Sequence, residues 1–196
     1  MGLVEFVLSP PDIVRSINQL WLLKSWIRSR GSRQLPAVEG LTADELAGIS
    51  DNLLFTDVVR RDGAMRFLIR RGGPRITEFV GMSCPTGEQG RFLDEVLPPA
   101  YRDAALAAFH EVVAAREPVY TIADMRDRGG RIVHLERLLL PFGRDEAAVD
   151  RVLVSIEAVS PEGTFEGHNL MMAPSMPPAF AFCAIIDTGA PAAAGQ

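Results

Sequence analysis

The stretch from residue 119 to residue 158 narrows the fold more than any other, because it reads as three strands in succession: 119–126, 131–140 and 151–158. Asp127-Arg128-Gly129-Gly130 breaks the first pair, since glycine alone enters φ > 0 without steric cost. Residues 142–150, with Gly143 and Asp145, make the second connection. In the middle segment Ile132, His134, Glu136, Leu138 and Leu140 share one side, and Val133, Leu135, Arg137, Leu139 and Pro141 the other. Val152, Val154, Ile156 and Ala158 alternate with Arg151, Ser155 and Glu157, the pattern of a sheet with one buried face. A meander of this kind cannot close a core alone, so another element must cover its apolar face.

The rest of the chain supplies candidates. With 196 residues, 47% hydrophobic and 23% charged, the sequence predicts one soluble globular domain with extensions rather than a disordered chain. A net charge of −5 and a pI near 5.3 argue against a nucleic-acid or anionic-membrane binder. The N-terminus has no signal-peptide pattern, and the longest apolar runs fall short of the ~18 residues of a membrane span, so a cytoplasmic location is expected. Cys84 and Cys183 are read as reduced thiols, and no Cys/His spacing resembles a zinc site.

Ser9-Pro10-Pro11-Asp12 predicts a helix start, continued by Ile13, Ile17, Leu20, Trp21 and Trp26 and stopped at Gly31. This helix is too apolar to stand in water and must pack on the domain or on a second copy. Thr42 and Glu45 form a capping-box pair for a short helix through Ala47. Residues 52–61 and 64–71 alternate as strands about Asp62-Gly63, a hairpin signal. Short helical turns are expected over 75–80 and 92–97, then a longer helix over 99–116 with Leu106, Phe109 and Val113 on one face. After residue 158 the chain turns irregular, apart from the apolar run 180–186, which suits an edge strand or a partner's groove. The expected division is an N-terminal helical extension (1–35), a domain (36–159) and a tail (160–196).

The order strand, strand, short helices, long helix and three strands resembles the PAS domain, specifically the short stand-alone bacterial PAS proteins. The match is carried by Trp26 with Arg28-Ser29-Arg30-Gly31, Leu35-Pro36, Leu54 to Asp57, Arg66-Phe67, Gly90-Arg91-Phe92-Leu93-Asp94-Glu95, Glu136-Arg137-Leu138-Leu139-Leu140-Pro141, and Val149-Asp150-Arg151-Val152-Leu153, across roughly residues 12–158. Leu68 and Gly73 stand where the resemblance implies an arginine and a threonine. The fold expected is α+β: a five-stranded antiparallel sheet covered on one face by helices, with the first strand central and beside the last. The N-terminal helix is expected outside it.

The resemblance implies a non-catalytic sensory or regulatory protein of bacterial signal transduction. It would act through a signalling partner and as a homodimer through the N-terminal helix, with a small-molecule ligand in a cavity between the sheet and residues 75–113. Phe67, Phe79, Phe92, Leu93, Phe109 and Leu138 are the expected lining, and Arg66, Arg70 and Arg75 the expected polar or anion contacts. No cofactor or metal is required, although haem held by His110 is one alternative. A small cone-fold enzyme is another, and it would need an inward acid or base such as Asp57, or His134 with Glu136. His168 has no evident partners, Ser83-Cys84-Pro85 lacks a nucleophile's context, and the Asn-Cys-Arg pattern of flavin-adduct relatives is absent.

Overall fold

Alternating apolar residues become seven strands in the computed structural model, which describes residues 5–61, 63–80, 90–145, 148–172 and 179–189. They are β1 (Val7–Ser9), β2 (Leu53–Arg61), β3 (Ala64–Gly72), β4 (Val119–Arg126), β5 (Ile132–Phe142), β6 (Arg151–Val159) and β7 (Ala179–Ile186). One sheet holds them in the order β1-β7-β4-β5-β6-β2-β3. The expected five strands are β2 to β6, and β2 lies between β3 and β6, so the first strand does sit beside the last.

The five-stranded count is corrected to seven. A sheet ending at β4 would leave that strand's outer N–H and C=O groups unpaired. The apolar run near the C-terminus fills that edge: β7 pairs antiparallel with β4, Thr121 opposite Cys183, and β1 adds in parallel on the far side of β7. The run is apolar at successive positions because both its faces are covered. Ala184 and Ile186 bury on one side, and Cys183 is a buried free thiol. Cys84 lies outside the described residues.

Among the described residues five α-helices flank the sheet: α1 (Ile17–Arg30), α2 (Ala43–Ala47), α3 (Pro74–Val80), α4 (Leu93–Val96) and α5 (Pro99–Ala115). The expected start of α1 is corrected. Ser9 is drawn into β1, residues 11–13 make a single 3₁₀ turn, and Ser16 caps the helix by accepting from the Gln19 N–H. Its end stands as read, at Gly31 with φ 58°. The capping box of Thr42 and Glu45 forms at α2. Pro99 opens α5, and Arg116 closes it in the left-handed region.

The expectation of one covered face is also corrected, because β5 carries leucines on both sides. Leu138 and Leu140 pack with Tyr120, Leu153 and the α1 residues Leu22, Leu23 and Trp26. Leu135 and Leu139 pack with Phe67, Val154 and the α5 residues Phe109 and Val112. The sheet is therefore sandwiched, with α1 on one face and α3, α4 and α5 on the other. Gln19, fully buried, ties α1 to two strands by donating to the carbonyls of Glu136 (3.1 Å) and Ser155 (3.0 Å). Ile17 and Trp21 stay on the outer side of α1, 85% and 40% exposed.

The segment following β6 is ordered where it crosses the helical face. Leu170 and Met171 bury in the α5-side cluster, and the Asn169 N–H donates to the Glu78 carbonyl of α3 at 2.8 Å. Asp127 anchors this strap: its carboxylate accepts from the backbone N–H of Glu166 (3.1 Å) and of Arg131 (2.8 Å). These bonds, the Glu166 one foremost, hold the Asp127 carboxyl below its usual value. A depressed folded-state value stabilises above the unfolded carboxyl's range and is lost as pH falls through the folded one. Asp127→Asn is therefore expected to speed amide exchange over residues 160–172 at neutral pH, with the difference from wild type shrinking in acid. An equal difference at all pH values would sink this account.

At the other end of the tail, Arg30, 5% exposed, donates to Thr188 Oγ1 at 2.6 Å and faces Glu117 at 3.5 Å. Thr188 in turn donates to Glu117. Burial raises the Glu117 carboxyl above its usual value.

Candidate functional site

The apolar layer between the sheet and α3, α4 and α5 is not completely filled. A cavity of about 40 Å³ remains, walled by Leu54 of β2, Ile69 of β3, Ile76 of α3, Leu93 of α4, Phe109 of α5, Val154 of β6 and Met171 of the strap. That is space for a group of a few atoms.

Among the described residues one polar side chain lines it. Arg137 projects from β5 on the side of Leu135 and Leu139, and is 5% exposed. Its Nε donates to Thr121 Oγ1 at 3.0 Å, and its guanidinium carbon lies 5.1 Å from the centre of the Phe180 ring. Its Nη2 is buried with no hydrogen-bond partner, and among the described residues no carboxylate pairs with it. Burial lowers its pKa to about 10, which leaves it charged at neutral pH. An ion removed from water without a counter-charge costs several kcal/mol. Burial also pushes up the thiol of Cys183, which Arg137 pulls back in part.

Of the residues expected to line a pocket, Phe67, Phe79, Leu93 and Phe109 all enter the α5-side cluster. Leu93 and Phe109 reach the cavity wall, and Phe67 packs on Phe109 with ring centres 4.8 Å apart. Leu138 is a correction: it belongs to the α1 face, because side chains alternate and its odd-numbered neighbours lie on the α5 side. Phe92 is a second correction, half-buried beneath the Arg66 guanidinium at 3.7 Å and outside the cavity.

The three expected polar or anion contacts, Arg66, Arg70 and Arg75, do not line this cavity. Arg66 is held by Asp94 and Glu95, each at 2.7 Å, and Arg70 by Asp57 at 2.6 Å. Arg75 is exposed on α3. His110 is exposed on α5 with its ring edge-on to Phe67 at 5.4 Å, so it does not line the cavity.

The residues an acid–base site would need lie on the α1 side of the sheet. Asp57 sits between Arg70 and Arg151, the latter at 3.2 Å. His134 and Glu136 share that side, but each takes a partner on β4. The His134 Nδ1 is 2.7 Å from Asp124 Oδ1, and Glu136, 4% exposed, accepts from the Tyr120 hydroxyl at 2.7 Å. Burial and that bond hold the Tyr120 phenol well above its ordinary value. On the same side of the sheet an open groove of about 380 Å³ runs over Phe55, Asp57, Arg70, Arg71, Arg151 and Leu153.

Arg137 is the residue that sequence reasoning passed over. Its signal was present: one cation among the otherwise apolar positions of a strand face that must be buried.

Residues 14–157 match the PAS-domain family. The match spans α1 to β6, which includes every wall of the cavity except Met171, and the chain belongs to that family. No curated protein matches the chain. Among the described residues, no helix is long and apolar enough to cross a membrane.

Proposed function

We propose that this chain is a non-catalytic regulatory protein of bacterial signal transduction, working in the cytoplasm through contact with a signalling partner and with a second copy of itself. The observation that carries the reading is the PAS match over residues 14–157 on a sheet whose first family strand lies beside its last. Sensing belongs to the enclosed space under α5, and contact to the sheet's other side. There Ile17 and Trp21 of α1 face outward, and a separate groove is rimmed by Arg70, Arg71 and Arg151.

The test is sedimentation of the full chain over a range of concentrations, with cross-linking in the native cell. Wild type is expected to dimerise and to cross-link reproducibly to one signalling protein. Trp21→Ser, on an exposed position that leaves the core intact, is expected to weaken dimerisation. A chain that stays monomeric and cross-links to nothing overturns the proposal.

A further inference from the structure

The structure assigns a chemical class to the ligand: we infer that the cavity under α5 takes a small aliphatic carboxylate whose anionic end pairs with Arg137. The inference deepens the sensory reading above and rests on it. Three observations point the same way. Arg137 is a permanent cation, 5% exposed, with a buried Nη2 that nothing in the described chain accepts from. Buried charges are ordinarily paired, and a guanidinium edge matches a carboxylate's two oxygens. The neighbouring wall is hydrocarbon, from Leu54, Ile69, Phe109 and Met171, which suits an apolar stem and offers little to a free inorganic ion.

The size and charge of the site narrow the class further. A space of about 40 Å³ admits a short chain and excludes an aromatic acid without rearrangement. One guanidinium balances one negative charge, whereas phosphate presents more charge and more oxygens than Arg137 and Thr121 can satisfy. Arg66 and Arg70 already hold carboxylates of this chain and do not compete. Thr121, by accepting from Nε, fixes the guanidinium plane and leaves Nη2 for the ligand.

The experiment is thermal unfolding of the full chain at fixed ionic strength, with sodium acetate, propionate and butyrate compared against chloride and phosphate. At least one carboxylate is expected to raise the midpoint by a few degrees along a saturating curve, since a ligand of the folded state stabilises by mass action. General salt stabilisation rises without saturating and follows the chloride control. Arg137→Met is expected to abolish the saturating rise and to melt no lower than wild type in chloride, because it removes an unpaired buried charge for a similar volume. A variant that does not fold is replaced by a measurement on wild type: propionate should shift the guanidinium nitrogen resonances of one buried arginine. Saturation by phosphate instead, an equal carboxylate effect in Arg137→Met, or unmoved guanidinium resonances overturns the inference. Those failures leave the regulatory reading standing, since it is judged by dimerisation and partner cross-linking.

Discussion

Trp26→Ala is expected to destabilise the chain by about 3–5 kcal/mol, as large-to-small changes do at sealed core positions. The indole is fully buried on the inner side of α1, between the helix and the sheet. Its Nε1 donates to the Pro141 carbonyl at 2.7 Å, so truncation opens a cavity and also orphans a buried acceptor. For a chain of this length that loss lowers the melting midpoint by roughly 10 °C. Trp26→Phe keeps most of the volume and loses the hydrogen bond, so about 1–2 kcal/mol is expected from it. Urea unfolding of both variants gives the comparison. If Trp26→Ala falls within about 1 kcal/mol of wild type, the α1 layer is not packed as described.

A second large effect is expected at Gly73, between β3 and α3. A Cβ there would lie 2.3 Å from the carbonyl oxygens of both Ser50 and Asp51, which are backbone atoms with nowhere to move. The Gly73 N–H also donates to the Leu53 carbonyl at 2.8 Å, pinning this turn to the start of β2. Gly73→Ala should therefore cost about 3 kcal/mol or more, or yield no soluble protein. Gly72→Ala supplies the control, because its Cβ would meet only side chains, at 3.7 Å and beyond. Under about 1 kcal/mol is expected for it. Similar losses at the two positions would rule out the close approach as the cause.

The sequence signalled the position of Gly73 without its reason. The residue stood out as a departure from the family pattern. The carbonyls that exclude a side chain come from residues 50 and 51, and that proximity exists only after folding. Local signals were read most accurately: the strand 119–126, the capping box at Thr42, the helix from Pro99 and the stop at Gly31 all stand where periodicity and caps put them. Which face a strand presents to which layer was not legible. The alternation on β5 separates Leu138 from Leu139, but when both faces are apolar nothing in the pattern says which one meets α5. The same ambiguity sent Leu138 to the wrong wall and left Arg137 unexamined. Long-range pairing was the other gap. The run at 180–186 read as an edge strand or as a segment for a partner's groove, and only the order of the folded sheet shows it pairing with β4.

That edge has a consequence for how the molecule is put together. Among the described residues β1 pairs with the sheet only through β7, and β7 follows in sequence the strap that carries Met171 to the cavity wall. The first residues of the chain and the lid over the pocket thus hang from one thread. Cutting that thread after Val159 would not trim away an appendage. It would unroof the chamber, bare the outer rim of β4 and release the opposite terminus together.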